Sequence, residues 1–176
     1  MKSTGVVRKI DNLGRVVIPK EIRRTLKINE GSPLEIYIER DMIALKKHTA
    51  ANTLKEVAYL YAESVYNSIN SGVIITDREK ILAISGLEEI YQNHSISEYL
   101  EDCIKNRVNV VENNKTKIEF VKGKEEEEEY CYIINLIESN GEVIGLVIIF
   151  NDFSITELEE KTSNLVAQIL SKYIEE

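Results

Sequence analysis

The chain has 176 residues, 43% of them hydrophobic and 30% charged, a balance that suits one or two ordinary globular domains. Apolar runs such as Leu146–Phe150 are strand-length, far short of the ~20 residues of a membrane span. The N-terminal stretch MKSTGVVRKID predicts no signal peptide, and Cys103 and Cys131, with no CxxC, argue against a disulfide framework or zinc site. The net charge of −8 is divided unequally: residues 1–48 hold eleven Lys/Arg against six Asp/Glu, and residues 49–176 eleven against twenty-four. A basic head on an acidic body suits a head that alone meets a polyanion, although charge by itself leaves chance clustering equally open.

In chain order, Gly5–Ile10 reads as a strand, Asp11–Gly14 as a turn and Arg15–Ile18 as a second strand. Pro19 suits the first turn of a short helix, Lys20–Leu26, because its missing N–H is not needed there. Ile22 and Leu26 share one face, and Asn29-Glu30-Gly31 ends the helix. Leu34, Ile36 and Ile38 alternate with polar neighbours, the period of a half-buried strand. Arg40-Asp41 turns the chain, and Met42–Lys46 returns beside it. A head of this size holds too little apolar surface for a self-sufficient core and has no cysteine or metal-ligand cluster, so dimerisation is expected.

His48–Thr53 reads as a linker, with Thr53 and Glu56 at capping-box spacing. The helix that follows aligns Leu54, Val57, Ala58, Tyr61 and Val65, and Ser71-Gly72 stops it. Val73–Thr76 and Ile81–Ile84 flank a charged hairpin turn. Leu87–Gln92 is a short helix, and Ser95–Asn106 a clearer one with Ser95 and Glu98 as its capping box. Strands are expected at Ile118–Val121, Tyr130–Ile137 and Val143–Phe150, with Asn140-Gly141 as a hairpin turn. Glu125–Glu129 reads as an exposed loop. Ser154 and Glu157 start a last helix with a broad apolar face. The body is therefore α+β, an antiparallel sheet flanked by helices.

Five cations of the head, lying between residues 8 and 24, are the candidates for contact with a polyanion: Arg8, Lys9, Arg15, Arg23 and Arg24. An arginine fork binds phosphate or a guanine edge with two parallel bonds, so a dimer doubling this set suits double-stranded DNA. A solvated surface remains the alternative. No catalytic constellation is evident: HExxH, a phosphate-binding GxxxxGK[ST] and a Ser/His/Asp or Cys/His set are all missing. His94 reads as a surface or capping residue, and Cys103 and Cys131 as core. The expectation is a protein that is neither an enzyme nor a metal or cofactor protein.

The stretch GVVRKIDNLGRVVIPKEIRRTLKINEGSPLEIY resembles the DNA-binding head of the AbrB family of transition-state regulators. The body, with AESVYNSINSGVIITDREKILAISG, resembles the GAF-type sensor domain that sporulation regulators carry behind such a head. The resemblance implies a swapped-hairpin dimeric β-barrel at residues 1–50 and a GAF-like domain at 53–176. It further implies DNA contact through Arg8, Arg15, Arg23 and Arg24, with Lys9 as a helper and Pro19 and Gly31 holding the loop–helix geometry. It implies a homo-oligomer, a tetramer built from head dimers and GAF dimers, working at the nucleoid in the cytoplasm of the developing spore as activator and repressor. A small molecule bound by the GAF-like body is left unidentified. Two rivals stay open: an antitoxin-like interaction protein, since such heads occur in toxin–antitoxin pairs, and a ligand-binding GAF protein whose head serves only assembly.

Overall fold

A strand holds its shape only where a ladder partner faces it, and in the head that condition is met in one place. The computed structural model of the chain describes residues 6–47, 50–87 and 91–175. The chain divides at residue 50 into two units. In the first, β1 (Leu34–Glu39) and β2 (Met42–Lys47) form an antiparallel hairpin, pairing Ile36 with Leu45 and Ile38 with Ile43. Residues 6–10 and 15–18, read above as strands, carry no ladder in this structure. Across the turn between them, the Asp11 N–H donates to the Arg15 carbonyl at 3.1 Å.

The helix α1 (Lys20–Thr25) follows Pro19, which sits just before the first turn with φ −56° rather than inside it. Its end differs from the expected glycine stop. Lys27 takes the left-handed conformation (φ 52°), the Ile28 N–H reaches the Arg23 carbonyl at 2.8 Å, and the Lys27 N–H reaches that of Arg24. This is a Schellman cap with lysine where glycine is usual. Among the described residues of this unit Ile28 is the buried one, whereas the Ile36, Ile38, Ile43 and Leu45 face is exposed rather than half-buried. Within one chain nothing among the described residues covers it.

The second unit is a five-stranded, wholly antiparallel sheet in the order β4-β3-β7-β6-β5. Its strands are β3 (Gly72–Thr76), β4 (Ile81–Ser85), β5 (Val110–Val121), β6 (Lys124–Ser139) and β7 (Glu142–Asn151). Strand alternation gives it two cores. Val147 and Ile149 face one layer, built with α2 (Ala50–Ile69) and α4 (Glu157–Glu175). Leu146, Ile148 and Phe150 face the other, covered by α3 (Glu98–Asn106). Leu54, Ala58, Ala62 and Val65 are the buried stripe of α2.

Several boundaries move from the sequence reading. The helix α2 starts at Ala50, so Thr53 lies inside it rather than capping it. Ser97, not Ser95, caps α3 and accepts the Leu100 N–H. Thr156 and Glu159, not Ser154 and Glu157, form the reciprocal cap of α4: Glu159 Oε2 accepts the Thr156 N–H at 3.0 Å, and Thr156 Oγ1 accepts the Leu158 N–H. The Glu125–Glu129 run lies in strand β6, and the turn before it is Lys122-Gly123. Of the helix expected over Leu87–Gln92, residues 88–90 lie outside the described residues. Among the described residues no helix is long and apolar enough to cross a membrane.

Candidate nucleic-acid interface

The head's cations are set by two local devices. The first is the turn between residues 11 and 15. Asp11 Oδ1 accepts the N–H groups of Leu13 and Arg15, both at 2.9 Å, which makes a side-chain-closed turn. Gly14 completes it at φ +77°, a conformation that glycine adopts without strain. Asp11 Oδ2 then accepts Arg15 Nε at 2.8 Å. The bonds from the Arg15 backbone and then its guanidinium hold the Asp11 carboxyl below its usual range. With Nε engaged, the two terminal nitrogens of Arg15 remain as a fork. Asp11 was read from sequence only as a turn former, although its spacing of four from an arginine was the available signal.

The second device is α1. Arg23 and Arg24 occupy its last turn, and the Schellman bonds to their own carbonyls fix the backbone from which they project. Arg8, Lys9, Arg15, Arg23 and Arg24 are all exposed. Lys20, which opens α1 and is exposed as well, adds a sixth cation that sequence reasoning did not single out. Gly31 turns the chain out of α1 toward β1 at φ +78°.

The body offers less chemistry. Cys103 and Cys131 are buried free thiols, and burial pushes the Cys103 thiol up. His94 is exposed, and its backbone carbonyl accepts the Ile81 N–H. Among the described residues no three His, Cys, Asp or Glu side chains converge on a metal position. The layer between the sheet and α3 is filled by rings. Phe120 and Phe150 have centroids 5.1 Å apart, and Tyr130 and Phe150 5.0 Å.

Comparison with known proteins separates the two units in the same way. The family model for the C-terminal region of stage V sporulation protein T, described as a transcription factor, matches residues 53–175. The model for antidote-toxin recognition MazE, a bacterial antitoxin, matches residues 7–52. The chain is 43% identical to stage V sporulation protein T of Bacillus subtilis (strain 168), over 100% of both chains. Its head is 65% identical over 48 residues to the transition state regulatory protein AbrB of the same organism, covering 27% of this chain and 50% of that one. The GAF domain of a phosphoenolpyruvate-protein phosphotransferase from Acinetobacter covers 69% of this chain and 81% of its own, with a TM-score of 0.54 and 14% identity. That last likeness shows the fold alone, a GAF-like body. With an AbrB-like head ahead of it and a full-length relative at this identity, the chain belongs to the stage V sporulation protein T family of transcription factors.

Proposed function

We propose that the chain binds double-stranded DNA through Arg8, Lys9, Arg15, Arg23 and Arg24. In this reading it activates and represses late sporulation genes in the forespore, and its GAF-like body assembles the protein and senses a small molecule. One observation carries the reading. All five cations are exposed in a head 65% identical over 48 residues to the transition state regulatory protein AbrB. Phosphate contacts would supply affinity and salt dependence, and a few base contacts the selectivity.

The head acts as a dimer. Val7, Ile10, Val17, Ile36, Ile38 and Ile43 are each more than 60% exposed in a single chain, an apolar load that small soluble domains cover with a partner. A second copy pairing residues 6–10 and 15–19 makes the swapped-hairpin barrel. The body adds a second contact: Leu158, Leu165 and Tyr173 of α4 are exposed at seven- and eight-residue spacing, the seam of a helical bundle. Two interfaces of this kind give a tetramer.

Fluorescence anisotropy of the full chain on duplex DNA tests the proposal. Binding that is lost in an Arg15→Ala/Arg23→Ala variant supports it. Equal binding by that variant refutes it, and would make the head an assembly device only. The antitoxin match describes the head alone, whereas residues 53–175 match a transcription-factor family, so the regulator reading is kept.

A further inference from the structure

A cleft of about 600 Å³ opens in the body where the C-terminal half of α3 meets the β3–β4 and β6–β7 turns. Its floor is apolar, made by Ile104 and Val143, both buried. Its rim is charged and mixed. Arg78 and Glu79 come from the β3–β4 turn, Glu101 and Lys105 from α3, and Glu142 from the start of β7. Arg107 closes one wall. It caps α3 in the left-handed conformation (φ 56°), and its side chain donates to the Gly141 carbonyl at 2.9 Å and to Glu138 at 2.6 Å.

Most of the other rim charges are loosely held. Arg78 and Glu142 approach only to 3.8 Å across the cleft. Among the described residues Lys105 and Glu79 form no ion pair. The rim thus carries three cations and three carboxylates above an apolar base. A ligand bearing one charge would satisfy half of that rim and be repelled by the other half. A small molecule bearing both charges and an apolar substituent complements all of it, and the volume lies in the range of small-ligand sites.

We propose that this cleft binds a small zwitterion, a free α-amino acid or dipeptide. Its carboxylate faces Arg78 and Lys105, its ammonium faces Glu79 and Glu101, and its side chain lies on Ile104 and Val143. The proposal gives the sensing part of the proposed function a ligand class and rests on that reading only for its consequence on DNA.

The test is thermal unfolding of the full chain with each free amino acid and with glycylglycine at millimolar concentration, beside acetate and methylammonium as single-charge controls. At least one zwitterion is expected to raise the melting temperature by several degrees while both controls leave it unchanged. The shift should vanish in Arg78→Gln/Lys105→Gln and in Glu79→Gln/Glu101→Gln, whose own melting temperatures show whether they fold. No shift with any zwitterion, or the same shift in both variants, overturns the proposal. If the same sample still binds DNA, the regulator reading survives that failure. A zwitterion that binds the cleft without changing DNA affinity upholds the site and refutes sensing.

Discussion

The sharpest prediction concerns salt. Each cation that neutralises a DNA phosphate releases condensed counterions, and the logarithm of affinity falls with the logarithm of salt by ~0.9 per phosphate contact. The five proposed contact cations per head, in two heads per dimer, give a slope of about −9. Substituting Arg24→Ala removes two contacts from the dimer, so the slope should become shallower by about 1.8. Between 50 and 200 mM salt, a fourfold change, wild type should lose about twelvefold more affinity than the variant. Fluorescence anisotropy over that series reads both quantities. A variant that loses affinity by the same factor at every salt concentration would show that Arg24 does not touch phosphate. A variant with wild-type affinity and slope would remove Arg24 from the interface, and the clustering of residues 8–24 would then be surface charge.

Four shorter tests follow. Asp11→Asn removes a negative charge from the interface but also the contact that orients Arg15 Nε; charge alone predicts tighter DNA binding, orientation predicts weaker, and anisotropy should show weaker binding. Gly145→Ala should destabilise the body, because a Cβ there would lie 2.0 Å from the Thr76 carbonyl oxygen; a cost of about 3 kcal/mol lowers the melting temperature by roughly 6–12 °C, and a melt unchanged by the substitution contradicts the packing. In Glu159, burial pushes the carboxyl up, but hydrogen bonds involving Thr156, its own backbone and Ser71 outweigh it and leave it below 4.5. The stability it gives is therefore present above that value and lost as pH falls through the lower folded value, so acid unfolding should be shallower in Glu159→Gln. Leu165→Lys should lower the mass measured by light scattering toward that of the head-linked dimer; an unchanged mass moves the second interface away from α4.

Where the sequence reading succeeded, a local pattern and the tertiary environment agreed. The stripe of α2, the β3–β4 hairpin and the Asn140-Gly141 turn are of this kind. It failed where two local solutions were equally good. Ser95-x-x-Glu98 has capping-box spacing, yet Ser95 and Ile96 are drawn into bridges with Lys80 and Val121, which delays the helix to Glu98. Thr156-x-x-Glu159 has the same spacing as Ser154-x-x-Glu157, and the buried contact of Glu159 with Ser71, 88 residues away, favours the later start. Glu125–Glu129 looked like a loop because like charges repel, but pairing of β6 with β5 puts Glu129 opposite Lys117 and overrides that cost. In the head, the alternation of Ile36 and Ile38 was legible, whereas the half-burial it implied is not met within the single chain, where both are exposed. The arginines were visible as charge; the hold of Asp11 on Arg15 required coordinates.

The cleft and α4 are joined by one short segment. Residues 138–142 accept Arg107 from α3 through the Glu138 side chain and the Gly141 carbonyl. The same segment donates its Glu138 N–H to Ser171 and its Asn140 N–H to Glu175, both on α4 and both at 3.1 Å. A ligand that draws Glu142 or Arg107 inward therefore pulls on the last turns of α4, where Tyr173 ends the exposed seam. A ligand shifts an assembly only by its differential affinity for the two arrangements, so these two bonds are where that difference would be transmitted. Removing them with Ser171→Ala/Glu175→Ala should leave the thermal shift caused by a bound amino acid intact, because neither residue lines the cleft. It should abolish any effect of that amino acid on oligomer mass or DNA affinity. A response that persists in the double variant would route the coupling elsewhere, through the packed sheet between the two cores rather than along its turn.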